Sequence, residues 1–415
     1  MSITAHPKKI LADLSAFEFP IVAFAVLISA INSAWLAGAV IVSAAFWPIR
    51  RVVTGRWTRR TPVDWPVVLL LLMLPVTVWA SVMPEKTLPQ VLRLLAGAAL
   101  FYSIANWAHS SVRLRQATNL LLAAGLLLAL AAPFVVQWNV LKLAFIPSSW
   151  YSGFRLLVAD PANPNVMAGS LVLFLLPAIS LLLFAWQDLC RRERLLAGGL
   201  ILAGGAALVL TQSRGAWFAL LAGLALLALL RWRYGWLVVL AGIIGGALAV
   251  TSLGLEKLAG ALFSSPSLGG VEGRLEIWSR AIYMLQDFPF TGVGMGSFTE
   301  VADRLYPFFL YAPGSVEHAH NLFLQVAVDL GLPGLVAWLA ILLGTSWCAW
   351  QVYRRASKTQ QSWPAGLAVG LLAAQLALVM HGLSDAVVWG MVRPAPLVWL
   401  LWGMSAAAVN HDQVL

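Results

Sequence analysis

A short polar segment in the last third of the chain has the side chains best suited to proton transfer. It reads Glu-His-Ala-His-Asn over residues 317–321. An imidazole can accept a proton from a hydroxyl group near neutral pH, so we expect His320 to act as a general base. On a helix, Glu317 would share a face with His320 and is a candidate to orient its ring. The alternative is a structural histidine, and His318 competes for the catalytic role.

Three arginines are candidate ligands for phosphate. Arg214 lies in a very short turn, Thr-Gln-Ser-Arg-Gly over residues 211–215, between two apolar segments. A charge at membrane depth costs roughly 2.5–3.5 kcal/mol and marks a functional candidate, although an interfacial arginine can also extend to lipid headgroups. Arg155 and Arg274 are less specific, because each has acidic neighbours that it could pair with. Together, several guanidinium groups can bind the oxygens of a pyrophosphate.

A glycine run and a histidine pair give weaker signals. Gly292, Gly294 and Gly296 do not follow a strand of a βαβ unit, so we favour a tight turn with close backbone packing over a phosphate loop. We expect no metal site, because His318 and His320 would lie on different faces of a helix. In addition, no third ligand is found at a regular spacing from them.

The turn before the last apolar segment is also polar. Asp385 and Arg393 flank this turn, and His381 lies about one helical turn earlier. These residues could form a structural ion pair or a part of the site, and we favour the structural role.

Long apolar segments separate these candidates. Of all residues, 60% are hydrophobic and 11% are charged, whereas soluble proteins have about 25% charged residues. A helix of ~20 apolar residues crosses the bilayer core, so the sequence predicts an all-α polytopic membrane protein with about twelve transmembrane helices. We expect the first helix to be retained, since no signal-peptide cleavage site clearly follows it. The predicted spans are 14–31, 34–50, 65–83, 89–109, 114–137, 164–186, 194–211, 214–231, 234–253, 332–353, 363–383 and 394–409.

The short loops on one side of these helices are basic, which predicts that this side and both termini are cytoplasmic. The same pattern supports the division of the first apolar region at Asn32-Ser33. The net charge of +10 is therefore a topology signal, and no nucleic-acid partner is expected. Cys190 and Cys348 fall on the inner side, where a structural disulfide is not expected. The inner segments hold 17 of the 27 basic residues: Lys8, Lys9, Arg50, Arg51, Arg56, Arg59, Arg60, Arg113, Arg115, Arg191, Arg192, Arg194, Arg231, Arg233, Arg354, Arg355 and Lys358.

The outer side has two long segments. We predict a single transmembrane domain over 1–415, with a large loop at 254–331 inserted before the last three spans and a smaller one at 138–163. The larger loop should contain short helices. One of them is amphipathic, with its apolar face formed by Leu275, Trp278, Ile282 and Leu285.

The histidine segment resembles the signature of bacterial O-antigen ligases, members of a broader ligase and polymerase family. His320-Asn321 is followed after nine residues by Gly331, and after two more by Gly334. The order of the apolar segments and the large outer loop before the third-last span are similar to the family along nearly the whole chain.

Three further motifs are similar to those of this family. The family has an arginine turn like the one around Arg214, and an outer arginine followed by a tryptophan, like Arg274 and Trp278. It also has an Asp-Pro-Asn motif before a span. Residues 160–165 read Asp-Pro-Ala-Asn-Pro-Asn, in which the inserted Ala162 departs from that triplet.

The resemblance implies a reaction and its location. A glycan on undecaprenyl pyrophosphate would be transferred to a sugar hydroxyl of lipid A–core, completing lipopolysaccharide on the periplasmic face of the inner membrane of a Gram-negative bacterium. The reaction would invert the anomeric carbon and need no metal ion or cofactor. Membrane lipids would surround the protein. The expected catalytic residues are His320 and Glu317, and the expected substrate-binding residues are Arg155, Arg214, Arg274, Asn163, Asn165, Asn321 and His318.

Other functions remain open. An O-antigen polymerase or a protein O-oligosaccharyltransferase would use the same donor and differ only in the acceptor. A polysaccharide transporter or flippase is a further alternative, but transporters place charged residues near the bilayer midplane. Here the polar set lies at the outer ends of the spans, and Arg93, inside a span, is the exception.

Overall fold

The structure, a computed structural model, describes residues 5–138, 147–158, 160–254 and 271–412. The predicted outer loops at 138–163 and 254–331 therefore lie partly outside the described residues. In the described part, the regular secondary structure consists of helices and one isolated bridge between Val136 and Ala162. The α-helices are α1 (Ala5–Ser15), α2 (Glu18–Ile31), α3 (Leu36–Thr54), α4 (Asp64–Ala80), α5 (Pro84–Trp107), α6 (Ser111–Val135), α7 (Pro164–Ala185), α8 (Arg191–Thr211), α9 (Arg214–Arg231), α10 (Trp236–Leu253), α11 (Val271–Asp287), α12 (Phe298–Leu305), α13 (Leu322–Lys358), α14 (Ser362–Gly382) and α15 (Pro396–Asp412).

Most of these helices suit a membrane. Within the described ranges, nine helices are long and apolar enough to cross one, and the pair α1–α2, bent by 55°, makes a tenth if it counts as one span. Asp64–Ala80 and Pro396–Val409 are shorter apolar helices. Each predicted span overlaps one of these elements. The predicted division near residue 32 is confirmed, because Asn32 ends α2 and its side chain accepts a hydrogen bond from Ala34 N, which starts a 3₁₀ turn.

The helices that carry the polar candidates pack around α14. This helix contacts α7, α9 and α13 closely, and α15 packs mainly on α5 and α13. Small residues permit the close approach of α14 to its neighbours: a Cβ atom at Gly370 would lie 2.6 Å from Pro177 Cα. The N-terminal ends of α7, α9 and α13 and the C-terminal end of α14 meet at one place.

The described part of the loop predicted at 254–331 forms a small cap with its own hydrophobic cluster. Residues of α11, α12 and the segment before α13 supply this cluster, and Val328 of α13 joins it to the bundle. The helix predicted around residue 278 is confirmed as α11, and the face that packs in the cap differs from the predicted apolar face. Leu275 and Ile282 are exposed, whereas Ile277, Ala281 and Met284 are buried. Both sets have helical spacing, so periodicity alone did not select the face that packs.

A break in α13 receives the glycine turn of the cap. Gly331 has φ 69° and ψ −178°, a conformation that is essentially restricted to glycine. The turn crosses the break, where Leu332 N donates to Pro289 O at 2.7 Å and Val293 N donates to Val328 O at 2.8 Å. A Cβ atom at Gly292 would lie 2.4 Å from Val328 O. The glycine run is therefore a tight turn with close backbone packing, as the sequence favoured.

Candidate functional site

The histidine segment, residues 317–321, is not helical and leads directly into α13. Asn321 is the N-cap of this helix, and its Oδ1 accepts hydrogen bonds from the N–H groups of Phe323 and Leu324, both at 3.0 Å. His320 has φ 47°, a left-handed conformation that few residues other than glycine adopt. Its backbone N–H donates to His318 Nδ1 at 3.1 Å, and the two rings lie 3.9 Å apart between centroids.

The carboxylate beside these rings comes from Asp385, which follows α14. Asp385 Oδ1 lies 3.5 Å from His320 Nδ1 and 3.9 Å from His318 Nε2. Its Oδ2 accepts a hydrogen bond from Asn165 Nδ2 at 3.1 Å, and Oδ1 also accepts one from Ala386 N at 2.9 Å. Asp385 therefore belongs to the site, and the structural ion pair with Arg393 is wrong. Arg393 instead pairs with Asp160.

The electrostatics of the cluster favour an ionised aspartate and a neutral histidine. Burial opposes ionisation of Asp385, but contacts with His320, His318 and His381 outweigh it and hold the pKa of the carboxyl well below its usual range. Burial and, to a smaller extent, the charge of His320 lower the pKa of His318 to about 3. The negative charge of Asp385 acts in the opposite direction and raises this pKa, but it does not outweigh burial. His318 is therefore a neutral neighbour at physiological pH.

The position of Asp385 sets the tautomer of His320. A carboxylate facing Nδ1 stabilises the form that carries its proton there, as in a histidine–aspartate pair of a hydrolase. His320 Nε2 then keeps a lone pair and can accept a proton. The side chain is 16% exposed, so the ring is partly accessible from outside the protein. His320 is the group in the cluster that is suited to general-base chemistry.

The expected helical face shared by Glu317 and His320 is wrong. Residues 317–321 are not helical, because α13 begins only at Leu322, so Glu317 and His320 do not share a helical face. The Glu317 side chain is exposed, and Asp385 occupies the position beside the ring. No sequence spacing could reveal this partner, since it depends on how α14 packs against α13.

Two of the three arginines lie close to this cluster. Arg274 of α11 donates from Nη1 to Ser384 O at 2.6 Å. Burial lowers the pKa of Arg274, opposed by Asp385 and Tyr311, and the charge of Arg214 lowers it further. Arg214 is the first residue of α9, and a Cβ atom at its neighbour Gly215 would lie 2.6 Å from Ser384 Oγ. Arg274 and Arg214 therefore place two positive charges beside residues 384–385.

The third arginine is placed differently. Arg155 is exposed, and no hydrogen bond or ion pair among the described residues joins it to the cluster. Its segment is anchored near Arg214 by Tyr151, whose hydroxyl donates to Leu210 O at 2.8 Å and accepts from Gln212 Nε2 at 2.8 Å. Arg155 thus lies on a segment attached to the Arg214 turn.

The N-termini of three helices also meet here. Asn163 caps α7 by accepting from Asn165 N at 2.8 Å, and Asn165 in turn contacts Asp385. Asn321, the cap of α13, donates from Nδ2 to Leu383 O at 3.2 Å. The N-terminus of α9 packs against Ser384 through Gly215. Helix N-termini carry partial positive charge and bind anions, so they add to the field of the arginines.

His318, His320 and Asp385 also have the donor types of a transition-metal site. One ligand atom from each lies within 4.8 Å of the others, so the fold supplies a third candidate ligand that has no regular spacing from the histidines in the sequence. The hydrogen bond from His320 N uses the lone pair of His318 Nδ1, however, and the proton of neutral His318 then resides on Nε2, the atom facing Asp385. Only His320 and Asp385 remain free to ligate, which does not fit a closed metal site.

Comparison with known families bears on the residues that hold this cluster. Residues 198–339 match the family model described as O-antigen ligase. This part of the chain, about a third of its length, is similar to the O-antigen ligase family. The matched residues include Arg214, Arg274 and His320, whereas Asn165 and Asp385 lie outside them. A comparison with curated proteins found no significant match.

Proposed function

We propose that the protein is an O-antigen ligase, a glycosyltransferase that moves a glycan from undecaprenyl pyrophosphate to a sugar hydroxyl of lipid A–core. The observation that carries this proposal is the His320–Asp385 pair, with Nδ1 and Oδ1 3.5 Å apart, beside Arg214 and Arg274 in a part of the chain similar to the O-antigen ligase family. A base and an anion-binding group within one cluster are what this transfer requires.

The transfer is a single displacement. His320 Nε2 takes the proton of the acceptor hydroxyl, whose oxygen bonds to the anomeric carbon while the bond from that carbon to the pyrophosphate oxygen breaks. The electron pair leaves with undecaprenyl pyrophosphate, and Arg214, Arg274 and the helix N-termini stabilise its charge. One displacement inverts the anomeric carbon and needs no nucleophile from the protein. No step in this scheme requires a metal ion.

The remaining predicted substrate contacts fit around this centre. We propose that Asn165, Asn321 and His318 shape the site, since each contacts Asp385, Leu383 or His320. Asn163 acts by capping α7, and Arg155 is available to a donor that extends over the Arg214 turn. The proposed mechanism assigns no catalytic role to Glu317.

We also propose the topology that this reaction needs. The twelve apolar elements cross the inner membrane of a Gram-negative bacterium, both termini are cytoplasmic, and the loops at 138–163 and 254–331 are periplasmic. The chain is then a single transmembrane domain with its site at the periplasmic ends of α7, α9, α13 and α14.

Arg93, the charge inside a span, supports an enzyme over a transporter. Its Nη1 donates to Gly390 O at 3.0 Å and to Met391 O at 3.4 Å, so it anchors the segment that carries Asp385. A transport path would instead be lined by charges facing a central cavity.

Reconstitution tests the function. The purified protein is given an undecaprenyl-pyrophosphate-linked glycan and lipid A–core, and extended lipopolysaccharide is the expected product. His320→Ala and Arg214→Ala variants with unchanged melting temperature should lose product formation. Full activity of His320→Ala would overturn the assignment of the base. Transfer to a second glycan or to a protein instead of lipid A–core would show an O-antigen polymerase or a protein O-oligosaccharyltransferase.

A further inference from the structure

A buried carboxyl group lies beneath the cluster and takes no part in the scheme above. Asp329, in the first part of α13, is 0% exposed. Its Oδ1 accepts a hydrogen bond from Gln325 Nε2 at 2.9 Å, and its Oδ2 accepts one from Trp389 Nε1 at 2.6 Å. A buried carboxyl group is costly unless its oxygens are satisfied, and each oxygen here has a donor.

One donor is hydrogen-bonded to the histidine segment, and the other lies on the segment that carries Asp385. Gln325 uses its other side-chain atom, Oε1, to accept from Ala319 N at 2.7 Å, and Ala319 lies between the two histidines. Trp389, 1% exposed, lies on the segment that begins with Asp385. One side of Asp329 therefore holds the histidine segment, and the other side holds the aspartate segment.

We propose that Asp329 is a positioning residue that sets the distance between His320 and Asp385, and with it the orientation of the base. This proposal rests on the proposed function. Asp329 touches neither substrate nor the reacting atoms. It acts through Gln325 and Trp389, whose hydrogen-bonding groups have fixed roles in this arrangement. Trp389 Nε1 is only a donor, and Gln325 Oε1 is committed to Ala319 N.

These fixed roles make Asp329→Asn informative although it hardly changes shape. An asparagine has one acceptor oxygen, while Trp389 and Gln325 each present a donor. Whichever way the asparagine amide is turned, its NH₂ group faces the N–H group of either Trp389 or Gln325, and two donors then oppose each other. We expect kcat/KM to fall about 10- to 100-fold through misplacement of the catalytic pair, with the donor KM nearly unchanged.

A second substitution reverses the direction of the hydrogen bond between residues 325 and 329 and should restore that bond. In Gln325→Glu with Asp329→Asn, one oxygen of residue 325 accepts from Ala319 N and the other accepts from the amide of residue 329. The oxygen of that amide then accepts from Trp389 Nε1. We expect this double variant to recover kcat/KM to within about threefold of the wild type, a coupling that independent sites do not show. Asp13→Asn, at an exposed position, is the matched control and should leave activity unchanged.

The split between kcat and KM, together with the rescue, separates positioning from a purely structural role. A general loss of folded protein would lower the amount of active enzyme in Asp329→Asn, whereas misplacement of the catalytic pair lowers kcat in protein of unchanged melting temperature. An inactive wild type would refute the proposed function itself. With an active wild type and an inactive His320→Ala, an Asp329→Asn variant of normal rate, or a double variant without recovery, would overturn the role of Asp329.

Discussion

Asp385 connects more of the site than any other single side chain described above. Its two oxygens contact His320, His318, Asn165 and the backbone N–H of Ala386. If it acts as proposed, its main effect is on the tautomer of His320, because an ionised carboxylate stabilises a proton on Nδ1.

Asp385→Asn should therefore reduce catalysis while keeping the shape of the site. The amide NH₂ group can face Nδ1 and favour the tautomer with the proton on Nε2, which removes the lone pair that the base needs. We expect kcat to fall roughly 100-fold or more, measured as initial rates at saturating donor and acceptor. A variant that folds and retains the full kcat would contradict the proposed role.

His318 should make the protein less stable in acid. Its folded pKa of about 3 is below the value near 6.5 of an unfolded histidine, so the unfolded state binds more protons between these pH values. The stability it contributes is complete above about pH 6.5 and is lost as the pH falls toward about 3. The slope contributed is at most about 1.4 kcal/mol per pH unit. Asp385, with its depressed pKa, contributes in the same direction below about pH 4.

Melting temperatures across this pH range measure the effect. In His318→Asn the side-chain oxygen can still accept from His320 N, but the titration is removed. The melting temperature of the variant should fall less steeply with acidification than that of the wild type. Identical slopes in the two proteins would rule out His318 as the source.

Candidate site residues could be predicted from the sequence where they belong to local motifs. His320, Arg214 and Arg274 were singled out by residue type and by their place at the outer ends of apolar segments, and the structure places them near one another. Asp385 could not be assigned in that way, since its partner is contributed by another helix. The one available signal was a carboxylate directly after an apolar span, which an ordinary ion pair would explain equally well.

At the level of elements, the break in α13 connects the cap to the bundle. The glycine turn lies across Gly331, and a Cβ atom there would lie 2.6 Å from the carbonyl carbon of Phe290. Both the positive φ and this contact disfavour any side chain.

Gly331→Ala should destabilise the protein by about 2–3 kcal/mol, because alanine must adopt a disfavoured φ and displace the turn. Thermal unfolding of the purified protein measures this loss. Gly205→Ala in α8 is the matched control: a Cβ atom there meets nothing within 4 Å, and alanine favours the helix. Equal melting temperatures for the two variants would contradict the strain at residue 331.

The arginine at the start of α9 allows a second comparison at this level. Arg214→Lys keeps the charge beside the helix N-terminus but loses the planar fork that binds phosphate oxygens. If the turn binds pyrophosphate, the KM for the lipid-linked donor should rise about 10-fold, equivalent to about 1.4 kcal/mol. Arg304→Lys, with a side chain 77% exposed on α12, should leave KM unchanged. A similar KM in both variants would remove Arg214 from the donor site.

The helices themselves were largely predictable, since an apolar run long enough to cross a membrane has few alternatives. The short turn at Asn32 was predicted from the alternation of basic loops, and the structure confirms it. The buried face of α11 needed the structure, because this helix has two apolar faces of helical spacing and could pack through either. The break at Gly331 also needed the structure, since only the turn that crosses it explains the glycine.

At the scale of the whole molecule, the proposed topology predicts opposite sides for two positions. Cys190, exposed just before α8, should be cytoplasmic, and Cys348 is buried and should not react. In intact cells with a permeable outer membrane, a membrane-impermeant maleimide should label Glu317→Cys in a Cys190→Ser background. It should label wild-type Cys190 only after the inner membrane is opened. The reverse pattern would invert the proposed orientation.

The contact between Asp385 and His320 also has a consequence for how the protein is made. Chains are synthesised and inserted from the N-terminus, so Arg214 and His320 reach the membrane while α14 is still unmade. If Asp385 orients the base as proposed, that carboxylate is present only once α14 has been inserted beside α7 and α9. A ribosome-bound chain that ends before residue 385 would thus hold its arginines and histidines without a competent base, and transfer would begin only on near-complete molecules.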